Sequence, residues 1–226
     1  MKNKLGILYR TVMILVVLAI IYFGIHRIVS YFFDPFGAND KTYSRQELIE
    51  NFNAKQKEIY AAKHYFESIV LKGKKVDIEF DGDRITRLEV YPTIDNAHQD
   101  RYAIDDSRRI DSIITALGWT KASVNKLRQK LEEANCISIF NDEPATIGFK
   151  RSGMGIYSFQ VFDKPMADST KIKYSRDSCL FIVANNRLVL EYGGGAIGPQ
   201  CFPRKDLQNN NSHDHTRNTQ TILGAR

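Results

Sequence analysis

The residues with the most chemical meaning in this chain lie in Leu188-Val-Leu-Glu-Tyr-Gly-Gly-Gly-Ala-Ile-Gly-Pro-Gln-Cys201. Gly193-x-Gly195-x-x-Gly198 has the spacing of a dinucleotide-binding loop. Such a loop needs a strand before it and a helix after it, because the helix N-terminus meets the pyrophosphate. The strand pattern is present. The helix is not, since Pro199 and Pro203 follow almost at once and a polar run begins. A Walker loop would need Gly-Lys-Ser/Thr, which is absent. The spacing therefore reads as a bend. Gly193, Gly194, Gly195 and Gly198, closed by Pro199, let the main chain turn with positive φ or let a partner approach the backbone. No nucleotide and no other cofactor is expected.

The three cysteines, Cys136, Cys179 and Cys201, allow at most one internal bridge. The bend can carry Cys201 back toward Cys179, so Cys179–Cys201 is the expected pair. Spacing alone does not fix connectivity, and a bridge from Cys136 stays open. A catalytic thiol needs a histidine base. His64 and His98 are the histidines to weigh against Cys179 and Cys201, and neither has a motif around it. His213-Asp-His215 has two metal-ligating imidazoles but no further ligand at useful spacing, so no metal is expected. Asp81/Asp83, Asp105/Asp106 and Glu132/Glu133 pair carboxylates, but each reads first as a turn, a helix start and a solvated helix face. Arg151-Ser-Gly-Met-Gly155 reads as a hairpin loop, whose Arg151 and Met154 could touch a partner.

The elements that must position these groups follow from periodicity. Ser44-Arg-Gln-Glu47 is a capping box, and Leu48, Phe52, Ile59, Ala62, Phe66 and Ile69 give an apolar stripe, so a helix is expected over 44–71. Val76–Phe80 alternates as a strand. Asp81-Gly82-Asp83 is read as a three-residue loop that sets Val76, Ile78 and Phe80 opposite Leu88, Thr86 and Arg84. Residues 91–105 read as a loop. Two helices follow, one with Ile110, Ile113, Ile114 and Leu117 inside, the next capped by Thr120 with Val124, Leu127 and Leu131 inside. Strands are expected at 136–140, 145–150, 156–162, 179–184 and 187–192. The last two join through an Asn185-Asn186 turn, with Val183 opposite Leu188 and Cys179 opposite Tyr192. The pattern predicts an α+β fold, a largely antiparallel sheet of about seven strands with three helices packed on it.

The expected organisation is a cytoplasmic N-terminus over 1–10, a transmembrane anchor over 11–29, a linker over 30–43, an α+β domain over 44–203, and a disordered polar tail over 204–226. The anchor reading rests on the charge-free run after Lys2, Lys4 and Arg10, and on the missing A-x-A site of a cleaved signal peptide. The basic residues before the run then put the N-terminus inside and the domain in the periplasm or outside the cell. The net charge is +6, and Lys2, Lys4, Arg10 and Arg27 supply most of it, so the remainder has no strong field for nucleic acid. The function expected is a single-pass membrane-anchored protein with a binding or envelope-structural domain and a protein partner at the 193–203 loop. The alternative is a tethered hydrolase-like enzyme whose site is assembled from dispersed residues.

Overall fold

A computed structural model describes residues 2–33, 41–91, 102–194 and 200–203. The chain forms two compact units, Met1–Lys41 and Thr42–Arg226. The first contains helix α1 (Lys2–Phe33), whose described side chains, 13–28, are exposed. No helix among the described residues is long and apolar enough to cross a membrane. The transmembrane anchor expected over 11–29 is therefore not supported. Nor are the single-pass localisation, the cytoplasmic N-terminus and the periplasmic or extracellular domain that depended on it. Length is the physical reason. The charge-free run Thr11–His26, bounded by Arg10 and Arg27, would span about 24 Å at ~1.5 Å per residue. A hydrocarbon core is ~30 Å thick. Of the linker expected over 30–43, residues 30–33 belong to α1 and 34–40 lie outside the described residues, as do the tail over 204–226 and His98, His213 and His215.

The second unit is α+β. Its eight-stranded antiparallel sheet has the order β3-β2-β1-β4-β5-β6-β8-β7. In chain order the elements are α2 (Arg45–Ile69), β1 (Lys75–Asp81), β2 (Arg84–Tyr91), β3 (Tyr102–Ile104), α3 (Ser107–Ala116), α4 (Lys121–Glu133), β4 (Ser138–Phe140), β5 (Ala145–Ser152), β6 (Gly155–Val161), α5 (Asp168–Arg176), β7 (Phe181–Asn185) and β8 (Leu188–Gly193). Each of the first helices starts where a side chain satisfies its free N–H groups. The Glu47 amide donates to Ser44 Oγ while the Ser44 amide donates to Glu47 Oε2, closing the capping box. Asp106 and Thr120 cap α3 and α4.

One sheet face carries the main core. Ile78 stands opposite both Leu88 and Ile139, and Ile147–Phe159–Leu190–Ile182 continues that apolar layer across the remaining strands. Buried residues of α2 (Leu48, Phe52, Ile59, Ala62, Phe66), α3 (Ile110, Ile113) and α4 (Leu127, Leu131) complete it. Trp119, between α3 and α4, donates Nε1–H to the Ile69 carbonyl at 2.8 Å and packs on Phe66. Lys63 of α2 is wholly buried, yet its ammonium lies 2.6 Å from Glu67 and 2.7 Å from Asp163. Burial presses its pKa down, but hydrogen bonds to those two carboxylates outweigh this and hold it above the ordinary lysine value.

Both hairpin registers differ from the sequence reading, for the same reason. The β1–β2 turn has two residues, Gly82-Asp83, with Asp81 opposite Arg84 and Phe80 opposite Ile85. A bulge then slips the ladder by one, so that Glu79 faces Arg87, Ile78 faces Leu88 and Val76 faces Val90. The two-residue turn and the apolar alignment, which look incompatible in a regular ladder, coexist through that extra residue. The β7–β8 turn is Asn186-Arg187, not Asn185-Asn186, and a bulge between Val183 and Asn185 resets its register too. Val183 therefore faces Val189, and Ile182, not Phe181, faces Leu190. Cys179 precedes the strand instead of opening it.

Two elements had no expectation. Part of the 91–105 loop is strand β3, and α5 follows β6. Helix α5 lacks an apolar stripe and a side-chain cap. It is held by Tyr174, which stands edge-on to Phe162 and Phe181, beside Met166 and Val189 on the second sheet face.

Candidate binding site on the second sheet face

The second face is covered by α5 only at its β7–β8 end; toward β1 it is polar. One cross-strand row runs Arg87–Glu79–Ser138–Gly148–Ser158–Glu191, one residue from each of β2, β1, β4, β5, β6 and β8. A parallel row beside it runs Glu89–Asp77–Phe140–Thr146–Gln160–Val189. Three small residues at the middle of the first row leave a trench between charged ends. Gly148 lets its neighbours close in, since Ser138 Oγ and Ile156 Cδ1 stand only 2.1 and 2.5 Å from where a Cβ would be. Ser138 and Ser158 are 5% and 3% exposed.

At one end Glu79, 3% exposed, accepts two hydrogen bonds from Arg151, from Nε at 2.5 Å and Nη2 at 2.6 Å. Arg87 lies between two carboxylates, with Nη2 3.0 Å from Asp77 and 3.5 Å from Glu79. At the other end Gln160 donates to Glu191 through Nε2, and Thr146 hydrogen-bonds to Gln160 Oε1 at 3.2 Å. Burial raises the pKa of Asp77 above the usual carboxylate range, and Arg87 pulls back against it. Burial raises Glu191 likewise, opposed by the Gln160 hydrogen bond.

Two concavities open here. One of about 170 Å³ is lined by Asp77, Arg87, Ser138, Thr146, Ser158 and Glu191, with Gly193 and Gly194 at its rim. The other, about 700 Å³, lies where β1 and β5 run on past the short β4; it is lined by Arg84, Arg87, Lys150 and Arg151 with Glu79, Asp81 and Asp105, and it reaches Tyr43 and Phe80 of the helix-side core. Arg87 lines both.

The glycine bend reaches this site from β8. Gly193 pairs with Ile156 as the last rung of β6–β8, and Gly194 takes φ +75°, a left-handed conformation that favours glycine. Gly195, Gly198 and Pro199 lie outside the described residues. The chain returns at Gln200, whose amide group is about 3 Å from where a Gly155 Cβ would be. Cys201 then stands at disulfide distance from Cys179, with Cα atoms 4.6 Å apart. The Phe202 amide donates to the Cys179 carbonyl at 2.8 Å, and its ring is buried against Tyr157 and Tyr192. The bend is thus anchored to the sheet at both ends.

The 193–203 segment and the Arg151–Gly155 turn are brought side by side. Gly153-Met154 is a two-residue hairpin turn between Ser152 and Gly155, and Tyr192 donates its hydroxyl to the Ser152 carbonyl at 3.4 Å. Arg151 is not a free surface group but the partner of Glu79. Met154 is half-buried. The residues suited to nucleophilic chemistry do not converge. Cys136 is buried, its thiol pushed up to about 12 by burial, and its sulfur faces the Ala134 carbonyl. His64 is exposed on α2 beside Glu67 at 3.3 Å. Among the described residues no group of three or more His, Cys, Asp or Glu is placed to hold a metal ion. Sequence reasoning missed Asp77, Glu79, Arg87, Ser138, Ser158 and Glu191. The signal available was the alternation of charged and apolar residues in β1 and β2, but it gives no cross-strand neighbour. No family model matches this chain, and no curated protein and no solved structure matches it either.

Proposed function

We propose that the second unit is a binding domain, without chemistry of its own, that takes its ligand or partner on the polar sheet face. The observation that carries this is the Arg87–Glu79–Ser138–Gly148–Ser158–Glu191 row. It sets a trench of small residues between fixed hydrogen-bonding groups, on the face that α2, α3 and α4 do not cover. A few convergent polar groups around a preformed concavity are the usual make-up of a ligand site. The cysteines have other roles, one buried and two at disulfide distance. The Gly193–Gly194 rim lets material approach the backbone, as the bend predicts.

The test is capture of ligand by the tagged full-length chain, compared with a Ser158→Val variant that fills the trench. Deleting 193–203 would be uninformative, because it removes Cys201 and the buried Phe202. Loss of the captured material with Ser158→Val, in a protein of unchanged circular dichroism, is the expected result. Unchanged capture would refute the assignment of the trench.

A further inference from the structure

The trench has a chemical bias that narrows its ligand. Strands β4, β5, β6 and β8, which make its floor, are each paired on both sides. Their backbones offer no free edge, so a peptide cannot add as a strand here. Recognition falls to side chains. The groups around the smaller concavity are the hydroxyls of Ser138, Thr146 and Ser158, the carboxyls of Asp77 and Glu191, and the Arg87 guanidinium. Hydroxyls donate and accept, carboxylates accept, and guanidinium donates. That mixture complements a ligand whose own groups both donate and accept, which is the character of a sugar hydroxyl.

Charge argues the same way. Arg87 is already paired with Asp77 at 3.0 Å, so the site has no spare cation to draw a phosphate. Glu191 accepts from Gln160 with one oxygen and keeps the other as an acceptor for a ligand hydroxyl. An apolar wall is present as well. Phe140 and Ile156 line the concavity and give it apolar surface for the C–H groups of a sugar ring. The volume, about 170 Å³, has room for roughly five or six water-sized groups at ~30 Å³ each. That is enough for one sugar ring, but not for a folded chain segment. The row from Glu79 to Glu191 crosses four strand spacings, about 19 Å at ~4.8 Å each, so neighbouring sugar units could run along it.

We infer that the smaller concavity binds a neutral, hydroxyl-rich ligand, a saccharide with one ring seated among Ser138, Thr146 and Ser158. The inference rests on the reading of this face as a binding site. It adds the ligand class.

Saturation-transfer NMR on the full-length chain tests it. The probes are glucose, galactose, mannose, N-acetylglucosamine and maltohexaose, with methyl phosphate and a Lys-Gly-Lys tripeptide as controls. Transfer from at least one saccharide and from neither control is expected. Ser158→Val should weaken that binding at least tenfold, and Glu191→Gln several-fold, because the amide cannot replace the second acceptor oxygen. Should Ser158→Val fail to fold by circular dichroism, Thr146→Ala and Glu191→Gln decide. Silence from every saccharide, binding of a control instead, or saccharide binding untouched by the folded variants would each overturn the ligand class. The capture experiment is read separately. Captured material that depends on Ser158, with no saccharide bound, removes the sugar and leaves the binding face. Capture unchanged by Ser158→Val removes the face itself.

Discussion

The anchoring of the glycine bend yields a stability prediction that can be worked from the chain. Cys179 and Cys201 are separated by 22 residues and stand at disulfide distance. Cross-linking a loop of that size removes about 11 cal/mol/K of unfolded-chain entropy, or ~3.4 kcal/mol at room temperature, in the chain-entropy treatment. For a unit of this size each kcal/mol moves the midpoint ~2–4 °C, so the double variant Cys179→Ser/Cys201→Ser should melt roughly 7–14 °C lower. The perturbation is local, because Phe202 keeps its amide bond to the Cys179 carbonyl and its ring contacts with Tyr157 and Tyr192. Trp119, the one tryptophan, is buried and reports unfolding by fluorescence in urea. The parent and the double variant are compared by linear extrapolation, with similar m-values expected. A companion Phe202→Ala, expected to cost ~3–5 kcal/mol by opening a cavity, separates the two anchors. A loss below about 1 kcal/mol in the cysteine variant would refute the reasoning, since the bridge would then add nothing to what Phe202 already fixes.

Three further outcomes are expected. Glu191→Gln should stabilise the protein at neutral pH. Burial raises the native pKa of Glu191, so the native state binds the proton more tightly than the unfolded chain, and parent stability falls as pH rises through that window. The melting-point gain of the variant should therefore shrink as pH falls and vanish below the unfolded carboxylate pKa; a gain constant with pH would contradict it. Gly148→Ala should cost ~1–3 kcal/mol in urea unfolding, because the new Cβ meets Ser138 Oγ at 2.1 Å and Ile156 Cδ1 at 2.5 Å. Ser138→Ala in the same chain should recover about 1 kcal/mol of that, and strict additivity of the two changes would argue against the contact. Cys136 should resist iodoacetamide in the native protein and react on unfolding, because its buried thiol is pushed up to about 12; rapid native alkylation, followed by mass spectrometry, would exclude that environment.

Local signals gave the elements, and long-range geometry did not follow from them. Ser44 and Glu47 announce the start of α2 because a capping box is complete within four residues. Thr120 and the apolar spacing of α4 are equally local. Helix α5 was illegible because Asp168–Arg176 has no stripe of its own; Tyr174 finds Phe162 and Phe181, and the helix depends on those contacts. Strand β3 was illegible because a three-residue strand is too short to show alternation. The charge-free N-terminal run looked like an anchor by its hydropathy and flanks. The length of the apolar run was the weaker half of that argument, and no described helix is both long and apolar enough to cross a membrane.

The candidate site was hidden by two bulges, one of them the slip that corrected the β1–β2 hairpin. In a regular ladder with the Gly82-Asp83 turn, Glu79 would face Thr86; the slip between Glu79 and Phe80 puts it opposite Arg87. That single displacement sets Arg87 beside both Asp77 and Glu79 and leaves Glu79 to receive Arg151 from the far side of β4. A second slip, between Gly148 and Lys150, follows Ile147 and leaves Phe149 in the helix-side core while resetting the strand after it. It also places Arg151 beside Ile156 on the polar face, within reach of Glu79. No composition or periodicity encodes these pairings, because each bulge changes which residue of one strand meets which of the next. A chain can thus display most strands of its sheet in its sequence and still conceal the row of side chains proposed as its binding face.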